Sequence, residues 1–147
     1  MRKLINTILL ALLVIGCAEY LPMSGGALEG RVSPLPLSLD KIIQDKIIQL
    51  ETGASEAYSV NLWVVEVEGY LHVFAGDNRA KWVENMDQNS SVRLRSGDEV
   101  FELEAARVSD SEVFELFAKA WAAKYGNRPR NESVEETYLY RLRPRGS

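Results

Sequence analysis

The chain is poor in the residues that carry most side-chain catalysis: it has a single histidine, His72, and a single cysteine, Cys17. His72 alternates with Tyr70 and Phe74 on one face of a strand pattern, apart from any other metal-ligating side chain. Neither a serine-histidine-acid set nor a metal cluster is indicated, and His72 reads as a structural residue. Positive charge is also scarce, with 17 basic against 21 acidic residues, which argues against a nucleic-acid-binding surface. No long hydrophobic run is present. The mainly apolar stretch Leu4 to Ile15 covers about 18 Å as a helix, against a hydrocarbon core of about 30 Å, so it is too short to span a bilayer.

That stretch follows Arg2 and Lys3 and ends at Gly16 and Cys17, which is the layout of an export signal. Val14, Ile15, Gly16 and Cys17 resemble the lipobox of bacterial lipoproteins. The resemblance implies a signal peptide over 1–16 and lipidation of Cys17 as the first mature residue. It implies an exported protein, anchored to the cell membrane or outer membrane. Ala18, where an inner-membrane retention signal is often acidic, favours the outer one. No free thiol then remains for disulfide, zinc or nucleophilic chemistry. Without Arg2 and Lys3 the balance is 15 basic to 21 acidic residues, a net charge of −6, so acyl chains rather than basic residues are the expected membrane contact. Residues 17–36 contain Gly25, Gly26, Gly30, Pro22, Pro34 and Pro36 and read as a flexible tether. Residues 37–147 are sufficient for one domain with one core.

Within the domain, a pentapeptide repeated over Asp40–Gln44 and Asp45–Gln49 places Leu39, Ile42, Ile43, Ile47 and Leu50 on one helical face, predicting a core-packing helix that ends before Gly53. Alternation over Leu62–Val67 and Tyr70–Ala75 around Glu68-Gly69 predicts a hairpin. A short helix bearing Trp82, Val83 and Met86 follows, capped by Asp77 or Asn78. Val92–Arg95 and Glu99–Ala106 form a second hairpin. Ser109 to Glu112 reads as a capping box for a helix with Val113, Phe114, Phe117, Ala120 and Trp121 on one face, ending at Tyr125-Gly126. Thr137–Leu142 supplies a closing strand.

This order suits a small α+β, mainly β protein: an antiparallel barrel of about six strands with flanking helices. Tyr70 to Gly126 resembles the split β-barrel, FMN-binding-like proteins related to flavin- and deazaflavin-dependent nitroreductases and quinone reductases. The matching features are a strand ending in Gly76, a Trp82-x-x-Asn85 helix, a valine-rich strand, a hairpin, and an acidic-capped helix finishing in Lys124-Tyr125-Gly126. The resemblance implies an isoalloxazine-type ring held between barrel and helix, with phosphates gripped by a basic, glycine-containing segment. Many such barrels are dimers with the cofactor at the subunit interface, so a homodimer is among the implied partners.

The corresponding segment, Glu51 to Tyr58, keeps Gly53 but has no lysine or arginine, and carries Glu51 and Glu56 where an anion would sit. Like charge at about 4 Å costs on the order of 1 to 4 kcal/mol, so the phosphate grip is expected to be weak. The replacement site expected from sequence is Gly76, Asn78, Arg79, Lys81 and Trp82, where a flexible backbone, a helix N-terminus and positive charge adjoin the barrel. Two functions follow. One is a lipid-anchored binding module that takes a small apolar or flavin-like ligand and holds FMN or a deazaflavin weakly or not at all. The other is a flavin- or deazaflavin-dependent oxidoreductase, its catalytic residues unassigned.

Overall fold

The computed structural model describes residues 25–147, so the expected signal peptide over 1–16 and the expected lipidation site, Cys17, lie outside the described residues. Eleven elements follow in order: β1 (Arg31–Val32), α1 (Asp40–Ile43), β2 (Ile48–Thr52), β3 (Tyr58–Leu62), β4 (Val65–Val67), β5 (Tyr70–Phe74), α2 (Lys81–Gln88), β6 (Ser91–Ser96), β7 (Glu99–Arg107), α3 (Ser111–Tyr125) and β8 (Leu139–Pro144). The strands form one curled sheet in the order β3-β2-β6-β7-β8-β5-β4, antiparallel throughout, with β1 added parallel to β7. This is a small split barrel with three helices. It has eight strands rather than about six.

One of the additional strands, β2, comes from the segment where a helix was expected. The first pentapeptide makes only the four residues of α1, and the second runs into β2. From Ile48 the burial alternates, with Ile48, Leu50 and Thr52 inside, while Ile47 is 55% exposed. A five-residue repeat of isoleucine pairs satisfies either period only in part. The β-branched residues and an available β6 edge decide for the strand. Residues 58–62, unassigned from sequence, become β3 and complete that hairpin.

The segment read as a tether is docked from Gly25 onward. Gly25 exchanges backbone hydrogen bonds with Ser59, Leu28 is buried, and Arg31 N–H donates to the Asp98 carbonyl. Its prolines and glycines bar helix but leave an extended chain free to lie along a sheet.

Inside the curl, Leu50, Leu71, Val73, Leu94, Leu103 and Leu142 are fully buried, and α2 closes the core with Trp82, Val83 and Met86. On the other face of β4, β5 and β8, α3 buries Phe114, Phe117 and Ala118 against Val65, Val67 and Leu139. Leu139, from the closing strand, therefore serves a second core. The N-cap of α3 is Asp110, one residue beyond the start of the expected box. Its carboxylate accepts from the N–H groups of Glu112 (2.7 Å) and Val113 (3.2 Å). Gly126, at φ +95°, ends the helix in the left-handed conformation that only glycine adopts freely. No helix among the described residues is long and apolar enough to cross a membrane.

Candidate functional site

The residues expected to form one site are divided between different surroundings. Gly76, at φ +61°, turns the chain after β5, and its carbonyl accepts from Tyr138 N–H at 2.8 Å. Asn78 is exposed, and its N–H donates to the Ala75 carbonyl. The N-cap of α2 is Ala80, with no side-chain cap, so neither Asp77 nor Asn78 caps this helix. Arg79 is paired with Asp87 at 3.1 Å. Trp82 is 5% exposed and packs against Tyr140, with ring centroids 6.3 Å apart, so its ring belongs to the core. Lys81 lines a cavity of about 490 Å³ with the β2–β3 turn, Gly53 to Tyr58, whereas Gly76 lines another with α3.

The β2–β3 turn is fastened to α2, because Asn85 Nδ2 donates to Thr52 Oγ1 at 3.1 Å. A Cβ at Gly53 would overlap the Glu56 carbonyl oxygen, which explains the glycine. The electrostatics of the turn are milder than expected. Strand alternation sends Glu51 to the outer face, where its carboxylate accepts from Leu28 N–H (2.6 Å) and Arg93 (3.2 Å). Of the two glutamates expected to oppose a phosphate, Glu56 alone lines the turn cavity, beside Lys81.

A larger cleft, about 910 Å³, lies at the end of α3. Its floor is aromatic: Trp63 stacks on Tyr125 with centroids 4.1 Å apart and planes at 10°, and lies 5.1 Å from Trp121, which meets Phe74 edge-on at 5.7 Å. Trp63 fills the two-residue break between β3 and β4 and remains 44% exposed. Two hydrogen-bonding side chains hold that break in place. Tyr125 Oη accepts from Val64 N–H (3.0 Å) and donates to the Lys46 carbonyl (2.9 Å), while Lys124 Nζ donates to the Asp45 and Val64 carbonyls at 2.7 Å each. Burial pushes the Tyr125 hydroxyl up from the usual phenol range and the Lys124 ammonium down. The turn at Gly126 carries Asn127 to Asn131 along one wall, anchored by the buried Pro129, and Gly76 and Asp77 also line the cleft.

Trp121 and Tyr125 were readable as neighbours one helical turn apart. Trp63 was not recognised, because it arrives from a strand break about sixty residues earlier in sequence and leaves no local signal beyond an oversized ring in a valine run. His72 is fully buried, as expected of a structural residue, but only half satisfied. Its Nδ1 lies 3.0 Å from the Tyr70 carbonyl and its Nε2 has no partner. Burial lowers its pKa to about 4, with Arg141 adding repulsion.

No family model matches the chain, and no curated protein does. Among solved structures, it is similar to a NimC/NimA family protein from Clostridium acetobutylicum: TM-score 0.56, 21% identity, 71% of this chain and 78% of that one. An FAD-binding protein from Mesorhizobium loti matches at TM-score 0.53 and 15% identity, over 72% and 84% of the two chains. The heme storage protein HutZ of Vibrio cholerae matches at TM-score 0.53 and 16% identity, over 74% and 89%. These likenesses are of fold: the chain is a split β-barrel, built as proteins named for flavin and for heme are built.

Proposed function

We propose that the chain is a lipid-anchored binding module whose split barrel offers the α3 cleft to a planar aromatic ligand of the flavin or heme kind. The observation that carries this reading is the stacked floor of Trp63, Tyr125 and Trp121. A ring exposed for nearly half its surface and held parallel to a second one is a face on which a further ring can stack. The cleft is also of the size ligand sites usually have, about 300 to 1,000 Å³.

A flavin bound there would supply hydride chemistry, while the chain's own residues would position the ring and exclude water. An oxidoreductase needs its cofactor held through turnover, and the turn corresponding to the phosphate grip carries no cation of its own, Lys81 reaching it from α2. Binding is therefore the function proposed, with FMN held weakly or not at all. Attachment through Cys17 places the module at a membrane surface outside the cytoplasm.

Two measurements test the proposal. Titration of riboflavin, FMN and hemin into the full chain, followed by tryptophan fluorescence, should give saturable quenching by at least one of them. Quenching by none would end the ligand reading. Metabolic labelling with a fatty acid should mark the wild type and not Cys17→Ser, and equal labelling of both would end the anchoring reading.

A further inference from the structure

The proposed anchor is short, and the flank of the sheet nearest to it differs from the rest. Eight residue steps separate Cys17 from Gly25. Fully extended they reach about 29 Å, whereas a domain of this size is about 35 Å across. Gly25 is fixed to the edge strand β3 by two backbone hydrogen bonds with Ser59, 2.8 and 2.9 Å long. That bridge is antiparallel, so the N-terminal side of Gly25 is directed along β3 towards Asn61. Acylation at Cys17 therefore holds the β2–β3 flank, rather than the far side of the barrel, next to lipid.

The outward residues of this flank follow from its register. Glu51 opposes Ser59 and is bonded to Leu28 of the lead. Next, Gln49 opposes Asn61, and beyond the last pair, Ile48 with Leu62, come Ile47 and Trp63. The Tyr125 hydroxyl joins these two strand ends, bonding to the Lys46 carbonyl at 2.9 Å and the Val64 N–H at 3.0 Å. Ile47 is 55% exposed and Trp63 44%. Ile47, Gln49, Asn61 and Trp63 are all uncharged, and Lys46 beside Ile47 is exposed. On β7 and β8 the outer face instead carries the ion pairs Glu104–Arg143 and Glu102–Arg145. The chain from Cys17 onward has a net charge of −6, so the uncharged flank is the one that approaches anionic lipid without repulsion or the desolvation of ions. A tryptophan is favoured at headgroup depth, where its ring is buried and its N–H stays hydrated.

Accepting attachment through Cys17, we infer that the β2–β3 flank is a lipid-docking face. Trp63 and Ile47 enter the headgroup region, Lys46 meets lipid phosphate, and Gln49 and Asn61 lie at the water boundary. No ligand in the α3 cleft is needed for this contact. Trp63 belongs to both surfaces, so a ligand and the bilayer compete for one ring.

The test uses the full chain, its acylation checked by mass spectrometry, in vesicles of phosphatidylethanolamine and phosphatidylglycerol. Nitroxide labels are placed on Ile47→Cys and, for reference, on Glu102→Cys. The label at position 47 should collide with an aqueous nickel chelate at least about threefold less often than the label at 102. Acyl-brominated lipid should quench the tryptophan emission of the wild type, and Trp63→Phe should remove at least about half of that quenching, since Trp82 is buried. Equal accessibility of the two labels, or quenching unchanged in Trp63→Phe, would overturn the inference while leaving the anchor in place. Absence of acylation would remove the anchoring reading and this inference with it.

Discussion

The barrel interior and the face beneath α3 are both buried, but by different chemistry. The interior is mostly aliphatic, with Leu50, Leu71, Leu94, Leu103 and Leu142 interlocking across the curled sheet until no surface remains. Beneath α3 the contacts are largely ring against ring: Phe74, Phe114, Phe117 and Trp121 lie with centroids 5.0 to 6.0 Å apart, and the series continues outward through Tyr125 to the exposed Trp63. Branched aliphatic side chains mesh closely and seal a core. Tilted rings leave faces and edges uncovered where the cluster ends, and such a margin can recognise another ring. Stability should therefore be shared by both regions, and recognition confined to the second.

The largest effect tests the shared part. Phe117 is fully buried between α3 and the sheet, and Phe117→Ala should cost about 3 to 5 kcal/mol in chemical denaturation, similar to Leu94→Ala in the interior at about 2 to 5. A loss below about 1 kcal/mol at Phe117 would mean that α3 is not an integral part of the fold.

His72 stands close behind in magnitude. Its folded pKa, about 4, lies below the ordinary value of 6.5, because burial disfavours the charged ring. The unfolded chain binds a proton that the folded one refuses. The associated stability is thus complete above about pH 6.5 and is lost as the pH falls towards 4, amounting to about 3 kcal/mol. Denaturation at pH 7 and pH 4 should show the wild type losing about 2 to 3 kcal/mol more than His72→Leu over that range. Glu99 and Glu115, held low by hydrogen bonds from Arg31 and Arg128, titrate in both proteins and cancel in the difference. Equal losses would mean that the imidazole is charged or hydrated in the native state.

Trp63 separates recognition from stability. Trp63→Ala should reduce stability by less than about 1.5 kcal/mol, since the ring is half exposed, yet weaken riboflavin or any other planar ligand about tenfold. A stability loss as large as that at Phe117, with affinity unchanged, would erase the distinction between the two regions. The smallest effect is expected at Arg79, whose partner Asp87 is also on the surface. Arg79→Ala should cost below about 1 kcal/mol and leave ligand titrations at the α3 cleft unaltered.

Elements whose signals are local were legible in the sequence. Helix α3 announces itself by apolar spacing, an acidic start and a terminal glycine, although the capping carboxylate proved to be Asp110. The β4–β5 and β6–β7 hairpins follow from alternation around turns, the first made by Glu68 and Gly69, both at positive φ. Residues 40–52 were misread because their isoleucine pairs are apolar on either period, and only the neighbouring β6 edge distinguishes strand from helix. The expected site was assembled from residues adjacent in sequence. In the fold, Arg79 turned to Asp87, Trp82 to the core and Lys81 to the Gly53 turn.

What the sequence determined by itself is the set of local preferences: alternating strands, a capped helix, a buried lone histidine, and a phosphate segment without its own cation. These depend on dihedral choices and side-chain periodicity within a few residues. Tertiary structure alone decided that Glu51 is neutralised by Arg93, that the glycine- and proline-rich lead lies along the sheet, and that Trp63 meets Tyr125 above Trp121. Each of these joins groups distant along the chain. Such contacts form only once the curled sheet and α3 have met the entropic cost of bringing them together, and no short stretch of sequence records which partner will be there.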